Sequence, residues 1–386
     1  MNNDIYKKSL EMHENNHGKL EVKSKVKLDS KEILSLAYSP GVAEVSREIA
    51  RDPSLARVYT LKRNTIAIVS DGSAILGLGN LGALASIPVM EGKACIFKEF
   101  ADVDAFPICL DTQDTEEIIK IVKNIAPVFG GINLEDISAP RCFEIEERLR
   151  KELNIPVMHD DQWGAATVTL AALINSLKLV DPDFKNKKDS YKIVISGVGA
   201  AGVATAKLLN TYGFNNIVYC DSQGIIHKGR AELTKEKMEL IQRSIAEVES
   251  GDLAKAIENA QVFIGLSKAN TLTKEMVTSM ANKPIIFALA NPTPEIMPED
   301  AFEAGAYIVA TGRSDYPNQI NNSLVFPGAF KGMLENNIPQ FKIEMFSAIA
   351  EALAESLKDI STDKIIPSMF DKEVVNIVRD TIKKFK

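Results

Sequence analysis

Short apolar runs alternate along this chain with longer segments whose apolar positions recur every three or four residues. TIAIVS at 65–70, KACIFKEF at 93–100 and AFPICLD at 105–111 have the length and composition of buried strands, and the pattern predicts a strand for each. DTEEIIKIVKNIAP at 114–127 instead gathers Ile118, Ile119, Ile121, Val122 and Ile125 on one helical face, with Asp114 placed to cap it. FGGINLEDI and NIPVMHDD repeat the strand signal, each run ending in a pair of carboxylates. From Gln162 to about Val180 the pattern predicts one long helix rich in small residues that joins two halves, followed by a polar, proline-containing surface loop at 181–192. Further strands are predicted within KIVISG, NIVYCD, AQVFIGLS (260–267) and KPIIFALANPTPE (283–295). A terminal helix is predicted within 342–360, where Ile343, Phe346, Ala350, Leu353 and Leu357 share helical spacing. At the other end, a polar arm precedes KEILSLAYSPGVAEVSREIARDP, which predicts two short helices broken at Ser39, Pro40 and Gly41, with Tyr38 at the break.

Strands alternating with helices imply an α/β protein with parallel sheets and crossover helices. At 386 residues the chain exceeds what one core usually supports, so two domains are expected. Residues 1–161 would form an N-terminal α/β domain with a parallel sheet. Residues 162–386 would form a Rossmann-type, doubly wound nucleotide-binding domain with C-terminal helices.

Charge narrows the partners. A net charge of −7 offers no electrostatic reason to bind nucleic acid or an anionic membrane, so a small-molecule partner is expected. Cys95, Cys109, Cys142 and Cys220 lie far apart without a CxxC pair, as expected of reduced thiols in a cytoplasmic protein rather than of a zinc site. The first residues lack an apolar leader, and no run of about 18 apolar residues stands out, so neither export nor a membrane span is expected.

The clearest local motif is KIVISGVGAAGVATAKLL at 192–209, with Gly197, Gly199 and Gly202 in GxGxxG register between a strand and a helix. The glycines permit a tight turn and close approach to a pyrophosphate. The helix start, running through Ala200, Ala201 and Val203, supplies the anion site. Asp221 ends the next strand at the interval expected of a ribose-binding carboxylate, which favours NAD; Ser222 and Lys228 nearby would accommodate the 2′-phosphate of NADP. Asn291 follows a later strand of the same sheet, where nicotinamide and substrate should meet, although Asn before Pro is also an ordinary turn residue.

Four carboxylates remain: Glu135 and Asp136 in GGINLEDI, Asp160 and Asp161 in HDDQW. Adjacent parallel strands would bring both pairs to one edge, where hard oxygen ligands suit Mg²⁺ or Mn²⁺. Each pair alone is also readable as a helix cap or a solvated turn.

Taken together, LAYSPGVAEV, the segment from VSDGSAILGLGN to PICLDT, GGINLEDISAPRCFEIE, HDDQWGAA, the GxGxxG, FALANPTPE and TGRSDYPNQINNSLVFPG resemble the malic enzymes in their short bacterial form, over residues of about 20 to 335. The resemblance implies oxidative decarboxylation of L-malate to pyruvate and CO₂ with NAD or NADP and a divalent cation. By motif, it implies Lys93 as general base, Tyr38 as general acid, and Glu135, Asp136 and Asp161 as metal ligands. Asp160 would tune Lys93, a lysine expected to fall toward neutrality beside the cation. Lys93, Asn291, Asn321 and Asn322 would contact substrate, with Asn291 also near the nicotinamide. A homodimer is implied, with Tyr38 acting in its own site or in its neighbour's. One departure stands out: larger members have an arginine where this chain has Ala74, so a different cation must hold the second malate carboxylate, Arg313 and Lys98 being candidates. Two other readings stay open: a redox-neutral relative, such as an oxaloacetate decarboxylase or a malolactic lyase, and a nucleotide-binding module without turnover.

Overall fold

The runs marked as strands assemble into two parallel sheets in a computed structural model that describes residues 2–246 and 249–386. The first sheet holds β1 (Thr65–Ser70), β2 (Asp104–Cys109), β3 (Gly131–Leu134) and β4 (Val157–His159) in the order β2-β1-β3-β4. Every residue of β1 and β3 is buried, as expected of parallel strands covered on both faces. The second sheet holds β5 (Ile193–Ser196), β6 (Ile217–Asp221), β7 (Gly224–Ile225), β8 (Val262–Gly265), β9 (Ile285–Ala288) and β10 (Ile308–Thr311), in the order β10-β9-β8-β5-β6-β7. This is the doubly wound dinucleotide-binding order, except that the edge strand β7 pairs antiparallel with β6. The order reverses between β5 and β8, which puts the ligand crevice beyond their carboxyl ends.

One predicted strand is a helix. KACIFKEF lies inside the helix Ala83–Ala101, whose buried positions Ser86, Met90, Lys93, Ala94, Phe97 and Ala101 follow a helical period across its whole length. An eight-residue window that opens after Gly92 and Pro88 hides that period. Lys93 is therefore a mid-helix residue, not one on a strand or turn. The helix within 342–360 spans Ile343–Ser356 but is not terminal, because Glu373–Lys383 forms another. The strands β7 and β10 and that last helix were not expected.

The long helix Asp160–Val180 begins one residue after β4 and runs between the two sheets. By length and apolar composition it would qualify as a membrane span, where none was expected; it is mostly buried, and it is the core helix. Trp163 stacks on Phe346 with ring centroids 5.1 Å apart, and Asn175 donates to the carbonyls of Ala354 and Ile365, fixing the C-terminal helices to it. The helix Phe326–Asn336 returns to the first sheet, where Phe326 and Phe330 pack on Phe97. Residues on either side of the core helix in sequence thus pack around it and the first sheet.

Candidate active site

Register explains how distant carboxylates meet. β3 and β4 are neighbours with Leu134 opposite His159, so Glu135–Asp136 and Asp160–Asp161 leave the sheet at one edge. One oxygen from each of Glu135, Asp136 and Asp161 lies within 4.8 Å of the others. The doublet that begins the core helix divides its contacts. Asp161 Oδ2 accepts the N–H of Asp136 at 2.8 Å, whereas Asp160 Oδ2 accepts from Lys93 Nζ at 2.5 Å and from Asn322 Nδ2 at 2.6 Å. Lys93 Nζ also donates to Glu135 Oε2 at 2.5 Å and lies 4.3 Å from the centre of the Phe326 ring.

Four buried or half-buried carboxylates thus face one ammonium. Burial pushes the Glu135, Asp136, Asp160 and Asp161 carboxyls above their ordinary range, Lys93 opposing this in each, and Asp160 reaches about 7. Burial would lower Lys93, but Asp160, Glu135 and Asp161 outweigh it and hold the ammonium above its ordinary value. The lysine expected to fall toward neutrality is therefore kept charged by the protein's own groups. It can serve as a base only when another positive charge neutralises those carboxylates. The residues fit a divalent cation: three hard oxygens converge, negative charge is in excess, and Asp136 Oδ2 is buried without a hydrogen-bond partner among the described residues. His159, buried beside them, is lowered to about 3 by burial and by Lys93, so its imidazole is neutral.

A bridge of loops links the acids to the nucleotide crevice. Ala74 N donates to the Asp136 carbonyl, and Gly77 packs so closely on the Asn291 carbonyl that a Cβ there would lie 2.6 Å from the oxygen. Asn291 in turn lies against Gly312 and lines a cavity of about 520 Å³ with Arg313 and Gln319. Arg313 is paired with Asp315; Lys98 is tied to Asp102 and Asp104 and takes no part in that cavity. Asn322 reaches Asp160, but the Asn321 side chain caps its own turn by accepting the Ser323 N–H. Tyr38 is 70% exposed at the break between the helices Lys31–Ala37 and Val42–Arg51, and its hydroxyl has no hydrogen-bond partner among the described residues. The single chain does not bring it to the acids.

The glycine turn is built for a close ligand. A Cβ on Gly197 would meet the Leu266 carbonyl at 2.3 Å, and one on Gly202 would meet the Gly197 carbonyl at 1.9 Å, so packing demands both. Gly199 has open space instead, immediately before the helix Ala200–Tyr212, which has no side-chain cap. Backbone N–H groups of that first turn are left for an anion, as a pyrophosphate requires. Asp221 is not a free carboxylate: Arg230 grips both oxygens at 2.9 and 2.8 Å, Lys237 donates at 2.7 Å and the Gln223 N–H at 2.9 Å. Although burial opposes it, these partners hold its pKa down to about 2.

Comparison with known proteins matches this architecture in two consecutive stretches. Residues 17–150 match the malic enzyme N-terminal domain, and residues 163–380 match the malic enzyme NAD-binding domain. The chain belongs to the malic enzyme family. It is 52% identical over 383 residues to the bifunctional malic/malolactic enzyme of Bacillus subtilis, covering 98% of this chain and 92% of that one. It is also 52% identical to the NAD-dependent malic enzyme of Geobacillus stearothermophilus, over 95% of this chain and 76% of that one. The crystal structure of an NAD-dependent malic enzyme from Thermotoga maritima superposes with a TM-score of 0.93 at 49% identity, covering 97% of this chain and 98% of that chain.

Within this malic enzyme fold, several residues around the acids carried no sequence signal. Glu146 is buried and accepts the N–H of His159 and the side-chain N–H groups of Gln162 and Trp163, which fixes the start of the core helix. Asp71 pairs with Arg141 at 2.8 Å beneath the loop that carries Ala74, and Asn133 supports Glu135 at 3.0 Å. Such partners are defined by tertiary packing; only the blocks that contain them, SDGSA, GGINLED and RCFEIE, were visible beforehand.

Proposed function

We propose that this protein oxidises L-malate with NAD or NADP and decarboxylates the product to pyruvate and CO₂, with Mg²⁺ or Mn²⁺ held by Glu135, Asp136 and Asp161. The observation that carries this reading is the contact of Lys93 with Asp160 and Glu135, beside three converging carboxylate oxygens and across one loop from Asn291. When bound, NAD(P) would supply a hydride acceptor and the divalent cation would supply a Lewis acid for the oxygen on C2. Lys93, once neutral, takes the hydroxyl proton, and Asp160 orients the amine and shares that proton. Asn291 and Asn322 orient malate, Asn321 supports that turn, and Arg313 is the cation assigned to the second carboxylate. Tyr38 protonates the enol carbon, from the neighbouring subunit of a homodimer. Support for the dimer comes from apolar side chains exposed on the short helices of the same N-terminal segment as Tyr38, among them Leu34, Leu36, Val58 and Tyr59.

Residues 1–161 are assigned as the catalytic domain and 162–386 as the cofactor domain, in a cytoplasmic enzyme whose four cysteines are free. Gly197, Gly199, Ala200, Ala201, Gly202 and Val203 would carry the pyrophosphate. Asp221 by itself would favour NAD. Its pairing with Arg230 and Lys237 removes the electrostatic objection to a 2′-phosphate, so NADP is included. The experiment is to mix purified protein with L-malate, Mn²⁺ and each cofactor, following NAD(P)H, pyruvate and lactate. NAD(P)H and pyruvate in equal amounts are expected; neither product under any combination would refute the proposal. The bifunctional name of the Bacillus relative favours one further reading, redox-neutral conversion of malate to lactate, which lactate formation without net NAD(P)H would establish.

A further inference from the structure

Glu295 is a fully buried carboxylate with no cationic partner among the described residues, and the steps above make no use of it. Its two oxygens are spent on backbone donors from two different loops. Oε1 accepts the N–H of Ser267, after β8, at 2.9 Å; Oε2 accepts the N–H of Ala290, after β9 and one residue before Asn291, at 3.0 Å. Both loops leave the carboxyl edge of the sheet at the crevice. The first also touches the glycine turn, because the Leu266 carbonyl is the atom that excludes a side chain at Gly197 and Ser267 Oγ lies 3.3 Å from Ser196 Oγ. Room for the carboxylate has been made in the sheet itself: a Cβ on Gly265, the last residue of β8, would stand 2.4 Å from Glu295 Cδ. Burial raises the carboxyl's pKa, and the N–H groups of Ser267 and Ala290 oppose that rise.

We propose that Glu295 is a positioning residue that locks Asn291 to the glycine turn, so that the substrate contact and the pyrophosphate contact are held at a fixed separation. The proposal rests on the reading of Asn291 as a substrate and nicotinamide contact. A carboxylate suits the task because both oxygens accept, whereas an amide would turn an N–H toward one of the two backbone donors.

The test is a double-mutant cycle of Glu295→Gln and Asn291→Ala in the full-length enzyme, measuring malate KM, kcat, the melting temperature and calorimetric affinity for NAD⁺ and NADP⁺. Glu295→Gln is expected to raise malate KM and weaken the cofactor that the enzyme uses by roughly tenfold or more, since loosening by a fraction of an ångström at a reacting centre has effects of that order. The double variant is expected to bind malate no worse than Asn291→Ala alone, because Glu295 acts through Asn291. Gly265→Ala displaces the same carboxylate without removing it; a matching rise in KM is expected, and this carries the test if Glu295→Gln does not fold. Wild-type KM and cofactor affinity in a folded Glu295→Gln or Gly265→Ala, with Asn291→Ala impaired, would overturn the positioning role and leave the reading of Asn291 intact. Penalties that multiply in the double variant would overturn it likewise. An unimpaired Asn291→Ala would overturn both.

Discussion

A glycine in the middle of a helix is ordinarily worth replacing, since alanine is favoured there by about 1 kcal/mol. Gly164, one turn into the core helix, is expected to reverse that rule. A Cβ at this position would lie 2.0 Å from Asp160 Oδ1, 2.9 Å from Asp160 Cγ and 3.0 Å from Asn322 Cβ. An ordinary carbon–oxygen contact is about 3.3 Å, so the carboxylate must shift by about 1 Å, away from a position where it holds Lys93 at 2.5 Å and Asn322 at 2.6 Å. The site is buried, so strain of about 1–3 kcal/mol should cancel or exceed the propensity gain. Displacement of the group that orients the proposed base should cut kcat by about 10²-fold. Gly92→Ala is the matched control. It adds a methyl to the helix next to Lys93, where the nearest atom is the Lys19 ammonium at 3.4 Å, an ordinary contact distance. That variant should keep wild-type kcat and melt about 2 °C higher. Initial rates at saturating malate, Mn²⁺ and cofactor, with thermal melts of both proteins, decide the matter. A Gly164→Ala enzyme that melts higher and turns over normally would show that the Asp160–Lys93 geometry is not needed.

Other outcomes follow from the same contacts. Lys93→Met should lower malate oxidation by at least ~10³-fold in steady-state assays while leaving calorimetric NAD(P) affinity unchanged. Asp161→Asn should weaken Mn²⁺ binding by roughly 10²-fold; because Trp163 is the only tryptophan and lies two residues away, its fluorescence can follow the titration. Glu146→Ala strands three buried N–H donors and should cost about 3 kcal/mol in urea unfolding followed by circular dichroism, with Glu146→Gln costing less. Asp221 has a folded pKa of about 2 against an ordinary 3.8, so its stabilisation is complete above pH of about 4 and is lost as the pH falls through about 2. Asp221→Asn should flatten the stability profile in that acid window and lower stability by a constant amount at neutral pH, the two proteins converging as the pH falls below about 2.

What could be read beforehand was whatever local pattern alone determines. Strands buried on both faces announce themselves as unbroken apolar runs, and a glycine turn between strand and helix has a fixed spacing, so nearly all of the inner strands and the phosphate turn were legible. The edge strands of the second sheet were not: β7 has only two residues, and β10, IVAT, gave no signal separate from the loop that follows it. Contacts made over a distance escaped for a different reason. Arg230 and Lys237 stand nine and sixteen residues beyond Asp221, on a loop and a helix whose own patterns give no hint that they turn toward it.

The helix that carries Lys93 shows how a local error can leave the chemistry intact. Its interior contains Pro88 and Gly92, both poor helix formers, and a short window beyond them alternates well enough to pass for a strand. As a strand, 93–100 would turn successive side chains to opposite faces, placing Lys93 and Ala94 on different sides. As a helix it buries Lys93, Ala94 and Phe97 on one face, and Phe97 packs on Phe326, whose ring also covers the Lys93 ammonium. The long, flexible lysine stem is thereby confined to one direction, toward Asp160 and Glu135. A solvated lysine on a strand end would spend most of its time elsewhere, losing rotamer freedom each time it approached substrate. Burial on a rigid helix removes that loss in advance, but it also demands counter-charges, and the two carboxylates that supply them come from the neighbouring ends of β3 and β4. The acid pairs thus divide between two tasks in one geometry: Glu135 and Asp160 keep the buried ammonium in place, and Glu135, Asp136 and Asp161 bring carboxylate oxygens together beside it.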